Sequence, residues 1–544
     1  MIVVAAENQE QALIRMRVAA TTVAALTALS VAVAGCGAGN PGKSSGDDSD
    51  SAGLIVGTTD KVVSIDPAGA YDNGSTTVQT QVFQYLLNFP EGKTTPQPDA
   101  AKSCDFTKPT EYTCTMKPGL KFANGDPLNA ESAAFSFQRV VKINDPNGPW
   151  ALLGNMKSVK AVGDKVVFTL KAGNDQTFPQ VLATSAGPIV DQKVFPADKV
   201  LPDDQVVKAK AFSGPYTISS YQKNQLAEFK KNPDYKGVFG PAKTDTVTMK
   251  YYTDANNLKL DIQNKNISVA YRSLTPTDIA NLKQTKGITV HTGPGGELRY
   301  LVFNLKTMPG KNDAQKLAIR KAVASSLDRQ AISTQVYKGT YTPAYSAIPQ
   351  GQLAATEPFK DLYGSKPDKA KASSFLKSAG VTTPVSLTLW YNPDHYGSSS
   401  ADEYNEVKRQ LEATGLFKVN LQSAEWTTYS KDRTQDDYPV YQLGWFPDFP
   451  DPDNYLTPFF SKDNFILNHY SDPQMSKLLD SEISDTNADS RKQTLVAAQK
   501  LVAEQLPIIP LLTGAQVAVS TSDVKGVDNT LDPSFRFRFS SLSK

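Results

Sequence analysis

From Leu54 onward, apolar residues recur in two rhythms, each held only briefly. Period-two alternation predicts short strands at LIVGTT (54–59), EYTCTMKP (111–118) and KAVGDKVVFTLK (160–171), the last a hairpin turning at Gly163-Asp164. Alternation and aromatic content predict another at YPVYQLGW (438–445), and RYLVFNL (299–305) and PIIPLLTGAQVAVS (507–520) also read as strands. A helical period takes over in TTVQTQVFQYLLN (76–88) and in NAESAAFSFQRVVK (129–142), where Asn129 is placed to cap and Ser132 lies near it. The strongest helical pattern runs from Asp313 to Gly339, with Leu317, Ile319, Ala322, Val323 and Leu327 on one face, and reads as a single helix. Residues 399–415 and 490–506 are two more helices, ended by Gly415 and by Pro507. Strands and helices mix without a regular βαβ alternation, an internal repeat or a Gly-rich phosphate loop, so the expected class is mixed α/β.

The first 52 residues do not share this texture. VAATTVAALTALSVAVA (18–34) is apolar, rich in small residues and uncharged, with Arg15 and Arg17 just before it. It is shorter than the ~20 residues of a membrane-spanning helix and reads as the apolar region of a secretion signal. It ends in Val33-Ala34-Gly35-Cys36, which resembles the lipobox of bacterial lipoproteins. That resemblance implies cleavage before Cys36, lipidation of its thiol and an anchor on the outer face of the cell membrane. Glu7 and Glu10 suit a signal poorly, and Met16 makes a better start than Met1. Residues 37–52, GAGNPGKSSGDDSDSA, offer almost nothing to bury and read as a flexible tether. Their aspartates lack the Gly and Glu positions of a calcium loop. A tether of this length spans ~20–25 Å on a random-coil scale.

Composition narrows the function. The chain has 544 residues, 40% hydrophobic and 21% charged, enough for more than one lobe. Its net charge of +2 carries no basic stripe, so no nucleic-acid partner is expected. Three histidines, His291, His395 and His469, lie far apart, and neither a metal site nor a cofactor is expected. Three cysteines are odd for an exported chain; with Cys36 lipidated, Cys104 and Cys114 remain as a disulfide pair flanking a turn-rich segment. H-E-x-x-H does not occur, and the one G-x-S-x-G match, Gly42 to Gly46, falls in the tether rather than between a strand and a helix. The remote enzymatic alternative is an extracellular hydrolase using Asp448 and Asp451 as paired acids.

Five segments in order carry a resemblance that covers essentially the whole chain after the tether. They are SIDPAGAYDNGSTTVQTQVFQYLL (64–87), MKPGLKFANGDPLNAESAAFSFQRVV (116–141), SGPYTI (213–218), RYLVFNL with AIRKAVASSLDRQAI (299–332), and LGWFPDFPDPDNYLTPFF (443–460). Together they resemble the family 5 solute-binding proteins of ABC importers, the group of oligopeptide- and dipeptide-binding proteins. The resemblance implies a monomeric, non-catalytic, two-lobe fold of the periplasmic-binding-protein type (type II, cluster C) with an extra subdomain on lobe I. The expected division is signal 1–35, lipidated Cys36 and tether 36–53, lobe I 54–295 with the subdomain within about 72–205, lobe II 296–502, and a return to lobe I over 503–544. The implied partners are a peptide or peptide-like solute and the permease and ATPase subunits of a transporter. A non-peptide solute, such as a metal chelate, sugar, haem or antibiotic-like compound, is the alternative.

The site is expected where the strand 438–445 runs into Gly444-Trp445-Phe446-Pro447-Asp448-Phe449-Pro450-Asp451-Pro452-Asp453. Three prolines forbid a regular element, leaving carboxylates on a stiff loop at a strand end. Asp448 matches the family aspartate that pairs with a peptide's α-ammonium, a charge-assisted contact. Gly444, Trp445 and Phe446 belong to the strand that would pair with ligand main chain, an interaction indifferent to side chains. Tyr71 and Asp72 match a segment that faces the cleft in the family. Asp453 reads as a helix cap and Asp451 as a turn residue. Asn304 reads as lobe-stabilising, Arg320 and Arg329 as solvated or in lobe–lobe ion pairs, and His395 as a residue near the solute. The group that holds a ligand carboxylate stays open between candidates such as Lys431 and Arg433.

Overall fold

A computed structural model describes residues 53–544 apart from Ser273 and Asp463; the signal segment, Cys36 and the tether lie outside the described residues. Among the described residues, eleven strands form one mixed sheet. In chain order they are β1 (Leu54–Thr58), β2 (Tyr216–Gln222), β3 (Leu226–Lys231), β4 (Thr246–Tyr251), β5 (Val269–Tyr271), β6 (Ile288–Phe303), β7 (Tyr341–Pro343), β8 (Val385–Tyr391), β9 (Phe417–Ser423), β10 (Val440–Trp445) and β11 (Ile508–Thr521). Their spatial order is β9-β8-β10-β6-β11-β5-β1-β4-β3-β2, with β7 on β11. The long antiparallel pair β6–β11 therefore joins two halves of the sheet.

Those halves belong to different cores. One core runs from Leu298 to Leu512. A second collects Leu54 to Tyr271 together with Ala518 and Val524 to Leu542. A third fills an extra subdomain around a four-stranded sheet (residues 101–108, 111–116, 165–170 and 156–162) and receives Phe449 from the far half of the chain. The architecture is the two-lobe binding-protein fold with an added subdomain. Cys104 and Cys114 face each other across the first two strands of that small sheet and are joined by a disulfide.

The register of β6 against β11 slips between Gly293 and Glu297. A side chain at Gly295 would fall onto the Gly514 carbonyl oxygen, so only glycine lets the two strands cross there. We place the first lobe crossing at this slip. The second crossing, expected near Leu506, is better placed later: Ala503, Leu506, Ile508, Ile509, Leu511 and Leu512 all pack in the core that starts at Leu298, while Ala518 packs in the other. We therefore propose Thr513–Val517 as the return. A hydrophobic strand reads the same whichever core it enters, so its pattern alone does not fix this point.

Other elements differ from their sequence reading for local reasons. The pattern over 313–339 is two helices, Asp313–Ala324 and Arg329–Gln335, because Asp328 caps a new helix by accepting from Ala331 N at 2.9 Å. The first helix spans Asn73–Val82, not 76–88: Asp72 caps it, and Phe83 turns extended into a cluster with Phe195 and Phe212. Arg320 and Arg329 are buried, not solvated. Arg320 donates to Gln505 O at 2.9 and 3.2 Å, and Arg329 to Pro510 O at 2.8 Å beneath the Tyr345 ring. Both tie a helix to the chain entering or forming β11, a use of Arg that periodicity does not reveal.

Candidate functional site

β10 lies between β8 and β6, but unequally. β6 follows it to Trp445, whereas β8 pairs with it only at Val440 and Tyr441. From Gln442 to Trp445 one edge has no neighbouring strand. Tyrosine hydroxyls reach it instead, Tyr429 donating to Gln442 O at 2.8 Å and Tyr396 to Gly444 O at 3.5 Å. Gly444 is required because a Cβ there would meet the Tyr396 ring.

The loop after β10 is held by a set of side chains that the residue types alone did not assign. Asp451, not Asp453, caps the short 3-10 helix Pro452–Tyr455 by accepting from Asp453 N at 2.9 Å. Asp451 is also more than a turn residue: its two oxygens receive Arg491 at 2.7 and 3.0 Å. Arg491 lies 3.0 Å from Glu482 as well, and Asp453, buried beside them, accepts the Thr457 hydroxyl. Burial and the neighbouring carboxylate of Asp453 push Glu482 well above its ordinary range, so this buried group keeps a proton at neutral pH. The loop is thereby bolted to the helices Pro473–Ser484 and Ala488–Gln505.

Asn454 organises the tip. Its Oδ1 accepts from Trp445 Nε1 at 3.1 Å and from Asp448 N at 2.8 Å, and its Nδ2 donates to Asp448 Oδ2 at 3.1 Å. Sequence reading missed it; the only signal is an amide residue six positions after the aspartate, close enough to fold back. The other carboxylate oxygen of Asp448 accepts the hydroxyl of Tyr71, a residue 377 positions away and 43% exposed. Asp448 is half-buried with no cation in contact, and burial raises it from the usual carboxylate range to about 6, opposed by the Asn454 hydrogen bond and the field of Arg536. Two of the expected residues thus converge. Asp72 caps the helix Asn73–Val82 through Oδ1, at 2.8 Å from Ser75 N, and its Oδ2 is buried without a partner. Trp445 is half-buried and packs against Phe459 and Phe465.

Beside this loop lies a cavity of about 480 Å³, lined from one lobe by Asp60 and Arg272 and from the other side by Glu297, Arg299, Tyr396 and Phe446. Of the residues expected at the site, Phe446 lines it, with the Arg272 guanidinium 5.4 Å from its ring centroid. His395 stands at the rim, stacked on Trp426 at 3.8 Å. Asn304 is buried and structural: its Oδ1 accepts from Lys306 N and Thr307 N at 3.0 and 3.1 Å. Arg433 donates to the carbonyls of Phe465 and Ile466, both at 3.2 Å.

One constellation has the outline of a hydrolytic triad: His291 lies 2.8 Å from Asp528 and 2.9 Å from Ser520 Oγ. Ser520 is fully buried and donates to Thr521 O at 3.0 Å, so its hydroxyl faces no substrate. The group ties β6 to β11.

Two α/β lobes around a cavity, with a carboxylate on a braced loop beside a strand edge that no neighbouring strand covers, define a solute-binding protein. The profile described as "Bacterial extracellular solute-binding proteins, family 5 Middle" matches residues 95–466, and the chain belongs to that family. It is 29% identical over 479 residues to a dipeptide-binding protein of Pseudomonas aeruginosa, covering 82% of this chain and 86% of that one. It is 25% identical to the oligopeptide-binding protein OppA of Bacillus subtilis (90% and 93% covered) and 25% identical to heme-binding protein A of Haemophilus influenzae (82% and 84%). In fold it is similar to the dipeptide-binding protein of Pseudoalteromonas sp. SM9913 in complex with Met-Leu, with TM-score 0.72 at 22% identity, over 90% of this chain and all of that one. It is also similar to the unliganded open form of the murein tripeptide-binding protein MppA, with TM-score 0.76 at 21% identity (91% and 98% covered). No described helix is long and apolar enough to cross a membrane.

Proposed function

We propose that this chain captures peptides between its lobes, without catalysis, and delivers them to the permease and ATPase of an ABC importer. It would act as a monomer tethered through lipidated Cys36 to the outer face of the membrane. The observation that carries the reading is Asp448: a half-buried carboxylate whose oxygens are held by Asn454 and Tyr71, with no cation against it, beside the unpaired edge Gln442–Trp445. A peptide supplies an α-ammonium for the carboxylate and main-chain groups for the edge. The peptide-binding names of the relatives in Pseudomonas and Bacillus support the same class of solute.

Native mass spectrometry of the purified protein is the direct test, because enclosed ligands are often retained. Masses of short peptides are expected, and adding a peptide pool should raise the melting temperature. A retained tetrapyrrole or metal chelate, with no shift by peptides, would overturn the peptide assignment.

The elevated Asp448 predicts a pH dependence. In the free protein it titrates near 6. A bound ammonium stabilises the carboxylate and lowers that value. The depressed value belongs to the complex, so the gain in affinity is complete above pH 6 and is lost as pH falls below it. Peptide affinity should fall ~10-fold per unit below pH 6. Calorimetry from pH 7.5 to 4.5 reads this, and a flat profile counts against Asp448 as the anchor.

A further inference from the structure

We infer that the end of lobe I at which the chain enters the fold is a basic face that rests on anionic phospholipid headgroups; this rests on the reading of Cys36 as the lipid anchor.

The face follows from strand direction. β1 begins at Leu54, and Gly53 before it packs so close to Thr246 that a side chain would strike it. β4 runs parallel to β1, with Leu54 opposite Val247, and β5 runs parallel to it on the other side. Antiparallel β3 finishes at the same end, with Lys230 opposite Thr246. β11 also finishes there and β6 starts, Thr521 pairing with Ile288. Ser543 joins them by exchanging backbone hydrogen bonds with Lys525 at 2.8 and 3.2 Å. Six separate stretches thus share one end of the sheet: 230–231, 243–246, 264–268, 283–287, 522–525 and 543–544.

These stretches hold eight lysines against two aspartates, while the whole chain is close to balance at +2. Both aspartates are paired, Asp245 with Lys231 at 3.5 Å and Asp523 with Lys544 at 3.7 Å. Lys230, Lys243, Lys265, Lys283, Lys286 and Lys525 are exposed and form no salt bridge with a described residue. Spread over separate stretches, they make no basic run in the sequence; strand pairing gathers them. Ammonium groups on flexible four-carbon stems, scattered over a strand-end surface, suit a sheet of phosphates rather than one bound anion. Their attraction fades within a Debye length, about 8 Å at physiological salt, so it acts only on a face held close to the bilayer. The tether does the holding. Sixteen residues separate Cys36 from Gly53, a random-coil span of ~20–25 Å that ends on this face. The solute cavity lies beyond the other ends of β1 and β5, at Asp60 and Arg272, so this orientation turns the cavity away from the bilayer.

The test uses the purified native chain with its anchor, in nanodiscs of phosphatidylcholine alone or mixed with phosphatidylglycerol. The rate at which each lysine reacts with an amine-directed ester, read by mass spectrometry, is referred to exposed Lys418 of β9, at the far edge of the sheet. The six lysines should react ~10-fold more slowly on the anionic discs, and high salt should abolish the difference. The variant Lys230→Gln/Lys265→Gln/Lys286→Gln/Lys525→Gln changes exposed positions only; it should melt like the wild type and lose the protection of Lys243 and Lys283. Equal reaction on neutral and anionic discs overturns the lipid face, whether the lysines are open on both or covered on both; Asp47, Asp48 and Asp50 of the tether are the other anions within reach of Gly53. Protection that survives the quadruple variant also overturns it. A Cys36 peptide without lipid overturns the anchor instead. The footprint is then read on free anionic vesicles, where the same slowing supports the face and its absence overturns both.

Discussion

Asp448→Asn should weaken peptide binding ~100-fold or more while leaving the ligand-free protein as stable as the wild type or slightly more so. The substitution preserves shape, and an amide oxygen still accepts from either Asn454 or Tyr71. What disappears is the charge. Leaving a ligand ammonium buried opposite a neutral amide forfeits ~3 kcal/mol, or about two decades in Kd. In the free protein the same change removes the desolvation penalty that raises Asp448 to about 6. Opposite signs for affinity and apo stability distinguish an anchor from a structural turn residue, which would lose stability and keep affinity. Calorimetry and thermal melting on the same samples supply both numbers.

The largest effect on stability is expected at Arg139→Met. Arg139 and Asp66 form a fully buried pair, with Nη1 donating to Oδ1 at 2.7 Å and Nη2 to Oδ2 at 2.6 Å. Asp66 also accepts from Ala68 N and Leu201 N, and Arg139 donates to the carbonyls of Pro196 and Lys199. Methionine fills the space and leaves the carboxylate buried without its countercharge, a loss of ~3–5 kcal/mol. The double variant Asp66→Asn/Arg139→Met should recover a large part, because neither partner is then charged. Urea midpoints of the single and double variants measure the difference; equal midpoints would sink the account. Because Asp66 caps the turn that leads to Tyr71, the single variant should also weaken ligand binding.

The same pair shows how much of the site was legible. SIDPAGAYDNG and SFQRVV were visible as separate segments, each hydrophobic enough to be placed on an element. That the Asp of one is the buried partner of the Arg of the other depends on two segments 73 residues apart meeting in the interior. Tyr71 and Asp448 both stand out in the sequence, yet their contact spans 377 residues. Asn454 and Arg491 do not stand out in the sequence, because a lone amide and a helical arginine look alike whether solvated or locked.

By itself the sequence determined the class of fold, most strands and helices, the proline-stiffened acidic loop and the family. These depend on local periodicity, turn chemistry and short motifs, which are written in neighbouring residues. The tertiary structure alone decided which carboxylate is left without a cation and where β11 passes from one core to the other. Each of those depends on burial and on partners hundreds of residues away, and burial is a property of the packed chain rather than of any stretch of it.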